Sequence, residues 1–244
     1  MFEKLPFGGR KKEMIQTPEI VQCLESFKTL LSNPVLKENI EKAAYSAIVG
    51  DDLSGRIPTL IMTEIMKKVY TEKKEKFRKT FFITPLQSKT FYEKLTEPSV
   101  AKIKKELGDD KRKVLVVTEY MSLGHNIDQI VNSLKNNNLQ ADVVSLEVSD
   151  NAKSSINERL KERYNSNLFV GGGGDFLHMD PKTQRHKYHL TGLTRPDTWA
   201  GLPERDPNIP AEKVKQVHKD AKLAAEILYN KFFVSENLIK SENK

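Results

Sequence analysis

Apolar residues near the start of the chain fall at helical spacing. Ile20, Val21, Leu24, Phe27, Leu30 and Leu31 recur every three or four residues between Pro18 and Leu31, with Thr17 placed as a cap ahead of Pro18. Asn33-Pro34 breaks the pattern, and a second helix is expected from about Val35. A short strand follows at Tyr45 to Val49, then a polar turn, Gly50 to Arg56. Pro58 suits the first turn of a helix whose buried face is Leu60, Ile61, Ile65 and Val69. A second strand, Thr80 to Thr84, ends at Pro85, and the polar segment Leu86 to Asp110 shows only helical patches.

The most informative stretch comes next. Val114, Leu115, Val116 and Val117 run straight into a polar, glycine-containing loop, Thr118 to Asn126. A helix to about Asn136 follows, with Ile127, Ile130, Val131 and Leu134 on one face. Further strands are expected at Ala141 to Val148 and Asn167 to Val170. Pro210 to about Val234 reads as a long amphipathic helix with the stripe Val214, Val217, Ala221, Ala224, Leu228 and Phe232.

Strands alternating with helices predict an α/β fold, a central mostly parallel sheet flanked by helices. The expected layout is one domain: N-terminal helices over 1–44, the core sheet over 45–176, and a loop and C-terminal helix over 177–244. In such sheets ligands sit beyond the carboxyl ends of the strands. Gly50 to Arg56, Thr118 to Asn126 and Gly171 to Asp175 each follow a strand, so all three should meet at one edge. A strand, a tight loop and a helix in that order also gather backbone N–H groups and a positive dipole end around one cavity, which suits a phosphate.

Composition narrows the picture. The 244 residues are 38% hydrophobic and 30% charged, and no apolar run approaches the roughly 20 residues needed to span a bilayer. No membrane association or secretory signal is expected. A single cysteine, Cys23, excludes an internal disulfide framework, and a cytoplasmic location is expected. The net charge of +7 favours anionic partners in general. Its densest source, Lys67 to Lys79, reads as a solvated helix end and loop. Nucleic acid is not an expected partner, because motif and aromatic support for it is thin.

The segment VLVVTEYMSLGHN resembles the hallmark of the type I phosphoribosyltransferases, in which a hydrophobic strand leads through two acidic residues to a Ser/Thr/Gly-rich phosphate loop at a helix start. The upstream AIVGDDLSGRIP is similar to that family's pyrophosphate loop, and NLFVGGGGDF to the base-binding segment of its hypoxanthine-guanine members. The resemblance spans roughly Tyr45 to Phe176 in the correct order. It implies a phosphoribosyltransferase-like fold that binds phosphoribosyl pyrophosphate or a nucleoside monophosphate with Mg²⁺. Transfer of phosphoribosyl to a nitrogenous base is the implied reaction. A non-catalytic phosphosugar or nucleotide sensor is the alternative. A homodimer is among the open assembly states.

Residue by residue, the resemblance places Glu119 at the second acidic position, as the catalytic candidate. Thr118 stands where the first acid would be. Ser122, Leu123, Gly124, His125 and Asn126 form the phosphate loop. Asp51, Asp52, Ser54, Gly55 and Arg56 form the pyrophosphate loop, where the planar fork of Arg56 suits a pyrophosphate. Asp175 would help hold Mg²⁺ with phosphate oxygens. Thr118 removes one carboxylate, Leu123 one hydroxyl, and Asn126 replaces the closing hydroxyl with an amide. Each lost hydrogen bond to a charged group is worth roughly 1.5–3 kcal/mol. The base of the purine-salvage members falls at Ser122, so that role does not carry over.

Bland readings stand beside these. Glu119 could form a structural salt bridge, Gly124 a simple turn, and the 50–56 residues a helix cap. His125, protonated, would contact a phosphate. His178, His186 and His189 cluster without zinc-ligand spacing and read as loop residues. His218 falls off the apolar stripe and reads as a surface residue. The Pro-rich Thr191 to Pro210, with Trp199, is similar to the hood that covers the base in the family, or else is a surface loop.

Overall fold

Helices cover both faces of a five-stranded sheet, which is why its strands read as nearly continuous apolar runs. The computed structural model describes residues 14–51, 55–83, 89–172, 188–191, 193–194 and 204–234. The strands are β1 (Tyr45–Asp51), β2 (Lys79–Ile83), β3 (Lys113–Met121), β4 (Ala141–Val148) and β5 (Leu168–Val170). All neighbours pair in parallel, in the order β2-β1-β3-β4-β5. A two-stranded antiparallel ribbon, β6 (Leu193–Thr194) and β7 (Glu204–Arg205), stands apart from the sheet.

Side chains on successive strand positions alternate between the two faces. Ile48, Leu115, Val117, Val144 and Leu146 pack with the helices α1 (Pro18–Leu31), α2 (Pro34–Glu41), α3 (Arg56–Glu72) and α7 (Ala211–Tyr229). Ala47, Val49, Val114, Val116 and Val143 pack on the other face with α4 (Lys89–Leu107), α5 (His125–Asn136) and α6 (Lys153–Tyr164). This is the α/β architecture expected, and its C-terminal helix is present. It is consistent with a phosphoribosyltransferase-like arrangement. No helix among the described residues is long and apolar enough to cross a membrane.

Several boundaries differ from the sequence reading, each for a physical reason. Residues Thr118 to Met121 belong to β3 and not to a loop, because they continue the parallel ladder against Ser145, Glu147 and Val148 of β4. Gly50 and Asp51 likewise finish β1, paired to Phe82 and Ile83. The segment expected to hold helical patches is one 19-residue helix, α4, which carries Pro98 inside it. Its second half anchors through Val100, Ile103 and Leu107. Helix α6 has no counterpart in the sequence reading, since only Ile156 and Leu160 of its residues are buried. Leu60 and Val214 are half-buried, at the margins of their stripes.

Thr17 occupies the N-cap of α1, yet its hydroxyl makes no capping bond. It donates instead to the buried carboxylate of Asp220 on α7 at 2.7 Å. That carboxylate also accepts the backbone N–H groups of Gln16 and Thr17 and the side-chain amide of Gln216. One acidic side chain thus ties the start of α1 to the middle of α7. Asp220→Ala strands these donors and is expected to cost about 1–3 kcal/mol in urea unfolding, with Asp220→Asn recovering part of it. An unchanged midpoint would show that the clip contributes nothing.

Candidate functional site

Chain direction reverses across the sheet between β1 and β3: from β1 the chain steps outward to β2, and from β3 it steps the other way to β4 and β5. In open α/β sheets such a switch point marks where a ligand crevice forms, here at the carboxyl ends of β1 and β3. The ends of β1 and β3 and the starts of α3 and α5 border it. The turn after β5 emerges at the same edge but two strands beyond β3, roughly 10 Å away at strand spacing. Of the three segments expected to meet, the described residues Gly50, Asp51, Gly55 and Arg56 lie at the same edge as Thr118 to Asn126, and Gly171 lies at that edge farther along; residues 52–54 and 173–175 lie outside the described residues. Gly171 donates its N–H to Ser145 O at 2.9 Å and rests against Ser26 of α1.

Thr118 and Glu119 leave β3 on opposite faces. Thr118, fully buried, donates its hydroxyl to Asp51 Oδ2 at 3.2 Å across the switch point. Glu119 is 4% exposed and lies on the α1 side, near enough to Cys23 that its charge matters there. Burial pushes the Cys23 thiol well above its ordinary range, and the carboxylates of Glu119 and Glu19 push it further. Cys23 is a buried neutral thiol behind the site. Glu119 is accordingly a buried carboxylate on the α1 face of the sheet, two residues before the end of β3.

Helix α3 begins directly in the crevice. Gly55 is its N-cap and donates its N–H to Asp51 O at 2.9 Å. Arg56 follows, half-exposed, with its guanidinium carbon 4.6 Å from the centre of the Phe82 ring. His218 lies on the exposed side of α7, as expected for a surface residue. Partial burial lowers its pKa, and the charges of Lys222 and Arg56 add to the effect.

The phosphate-loop candidates form a turn of three residues. Ser122 and Leu123 are exposed, Leu123 at 60%, and Gly124 is a buried left-handed residue with φ 74° at the N-cap of α5. No side chain caps this helix start. His125 and Asn126 are the first helical residues and not loop residues, because Gly124 O already accepts the N–H of Asp128 at 2.9 Å.

Arg159 of α6 reaches this turn, a residue the sequence reading did not single out. Its guanidinium donates to Leu123 O at 2.7 Å, and its Nε lies 2.5 Å from Asp128 Oδ2. Burial raises the pKa of Asp128, and the charges of Arg159, His125 and Arg163 oppose that rise. The only sequence signal for this contact is an Arg pair four apart, Arg159 and Arg163, on a helix too polar to announce itself.

Asp52, Ser54, Asp175, His178, His186 and Trp199 lie outside the described residues, as do residues 192 and 195–203 of the expected hood. His189 falls in a 3₁₀ turn, Tyr188–Thr191. Among the described residues no group of three His, Cys, Asp or Glu side chains could hold a metal ion by itself. Asp51 and the Thr118 hydroxyl are hard oxygen donors at this edge, the type of ligand that Mg²⁺ takes.

The basic run sits at the opposite edge of the sheet, at the end of α3 and the start of β2. There Lys67, Arg78 and Lys79 face Glu64, Asp110 and Glu106 at 3.1, 3.7 and 3.5 Å. Comparison of the chain with protein-family models, curated proteins and solved structures finds no match among them.

Proposed function

We propose that the crevice between β1 and β3 binds phosphoribosyl pyrophosphate or a nucleoside monophosphate together with Mg²⁺. The observation that carries this reading is the hydrogen bond between Asp51 and Thr118. It sets a carboxylate from β1 beside the position where the resembled family has its first acid and this chain has a threonine. Asp51 and Glu119 then flank the strand ends from opposite faces, and together they replace the adjacent acidic pair. The uncapped start of α5 beyond Gly124 supplies the donors for the 5′-phosphate.

If transfer occurs, the bond from the sugar C1 to pyrophosphate breaks, pyrophosphate leaves with its electron pair, and a ring nitrogen of the acceptor that enters without a proton bonds to C1. Positive charge developing on the sugar is tolerated beside Glu119 and Asp51. Mg²⁺, when bound, neutralises the departing pyrophosphate. Arg56 at the start of α3 stands at the same edge and adds positive charge there.

A second reading, a sensor that binds without turnover, has its own supporting observation. Leu123 presents an apolar side chain to solvent where a loop hydroxyl would grip phosphate, and the Thr118 hydroxyl is spent on Asp51.

Calorimetric titration with phosphoribosyl pyrophosphate, ribose 5-phosphate and purine nucleotides plus Mg²⁺ tests the binding. Heat is expected with at least one of them, and none at saturating ligand would overturn the reading. Glu119→Gln should weaken that affinity by about tenfold to a hundredfold, the equivalent of about 1.5–3 kcal/mol. An unchanged affinity removes Glu119 from the site. Pyrophosphate release across a panel of bases selects the enzyme over the sensor.

A further inference from the structure

The start of α5 carries an internal contradiction. A helix N-terminus attracts anions, but this one has its own carboxylate, Asp128, in the first turn. A phosphate arriving at the exposed Ser122 to Gly124 turn would meet that negative charge in the same first turn of helix, on a side chain that solvent reaches only in part. The side chains of Asp128 and Arg159 are only 16% and 21% exposed. What answers the charge is Arg159, with Nε 2.5 Å from Asp128 Oδ2.

The same guanidinium holds the turn itself. It donates to Leu123 O at 2.7 Å, and its terminal nitrogen lies 3.0 Å from where a Cβ on Gly124 would stand. Gly124 is favoured by its left-handed φ, and a Cβ there would also press on the tip of Arg159. His125 on α5 and Arg163 on α6 also bear on Asp128, but Arg159 is the group that touches both the turn and the acid.

Building on the phosphate site proposed above, we propose that Arg159 is the positioning residue of the phosphate loop. It fixes the Ser122 to Gly124 turn through the Leu123 carbonyl and cancels the charge of Asp128, so that the start of α5 accepts a phosphate monoester. Arg159 acts through these two groups and does not touch the sugar. In this chain the loop's anion affinity is thus carried by a cation behind the turn, where the resembled pattern relies on hydroxyls within it.

The test is a mutant cycle read by calorimetry with ribose 5-phosphate, with ribose as the phosphate-free control and circular dichroism to verify folding. Arg159→Ala should weaken ribose 5-phosphate by about tenfold or more. Arg159→Lys keeps the charge but cannot span both partners, so it should restore part of the affinity. Adding Asp128→Asn to Arg159→Ala removes the unanswered carboxylate and should recover most of the loss, which a merely structural role for Arg159 would not produce. An unchanged affinity in Arg159→Ala overturns the assignment, and so does a loss that Asp128→Asn fails to reduce. A wild-type chain without affinity for any phosphorylated ligand overturns the underlying reading of the site, and this assignment with it.

Discussion

Asp142→Ala is expected to destabilise the fold by about 3–5 kcal/mol, the scale of breaking a buried charge pair by removing one partner. Asp142 is fully buried on β4, at the edge of the sheet opposite the crevice. Lys113 of β3 donates to both of its oxygens at 3.0 and 3.1 Å. The Tyr45 hydroxyl donates at 3.0 Å, and Asn167 gives both its backbone N–H and its side-chain amide. Tyr45 is itself tied to Tyr70 of α3, whose hydroxyl donates to Tyr45 O at 2.9 Å. One carboxylate thus joins β1, β3, β4 and the entry to β5, and truncation leaves the buried Tyr45 hydroxyl and the part-buried Asn167 and Lys113 donors without their acceptor. Asp142→Asn should cost less, because Lys113 is partly exposed and can rehydrate. Urea unfolding with an unchanged m-value is the measurement. A loss under about 1 kcal/mol for Asp142→Ala would show that the network is not holding the strands.

None of that network is visible in the sequence, where Asp142 reads as one polar residue in an alternating strand. What was legible was apolar periodicity. The expected helix at Pro18 to Leu31 and the strand at Ala141 to Val148 match the structure at both ends. Where the pattern thinned, the reading failed. Thr118 to Met121 looked like loop because its polar residues are buried by pairing with β4, a partner that lies downstream in the chain. Helix α6 was missed because two buried residues make no stripe, and Arg159 went with it. At the candidate site, the strand–loop–helix order marked the segment that holds Thr118, Glu119 and Gly124, and the family resemblance singled out the residues within it. The bond from Thr118 to Asp51 could not, since it depends on the register between strands 67 positions apart in sequence. Long-range register is set by packing, and a single sequence does not display it.

Gly55→Val should unseat the crevice itself. The glycine has an ordinary φ of −74°, so its necessity is not conformational. A Cβ there would stand 2.5 Å from Asp51 O, 2.7 Å from Val117 O and 2.8 Å from Asp51 N. All three are backbone atoms of the two central strands, and none can rotate away as a side-chain tip would. Either α3 lifts from the sheet or β1 and β3 part at the switch point. Overpacking of this kind costs typically 1–3 kcal/mol, and rigid backbone neighbours put this substitution at or above the upper end of that range. Because the displaced segment carries Asp51 and the start of α3, affinity for a phosphorylated ligand should fall more than stability alone accounts for. Gly108→Val makes the contrasting control, with φ 59° and nothing within 4 Å of its added Cβ. It should destabilise by about 1–2 kcal/mol through backbone strain, leaving affinity unaltered in the folded fraction. Equal losses of affinity in the two variants would mean that Gly55 serves stability only, and that the close approach of α3 to the strand ends has no part in binding.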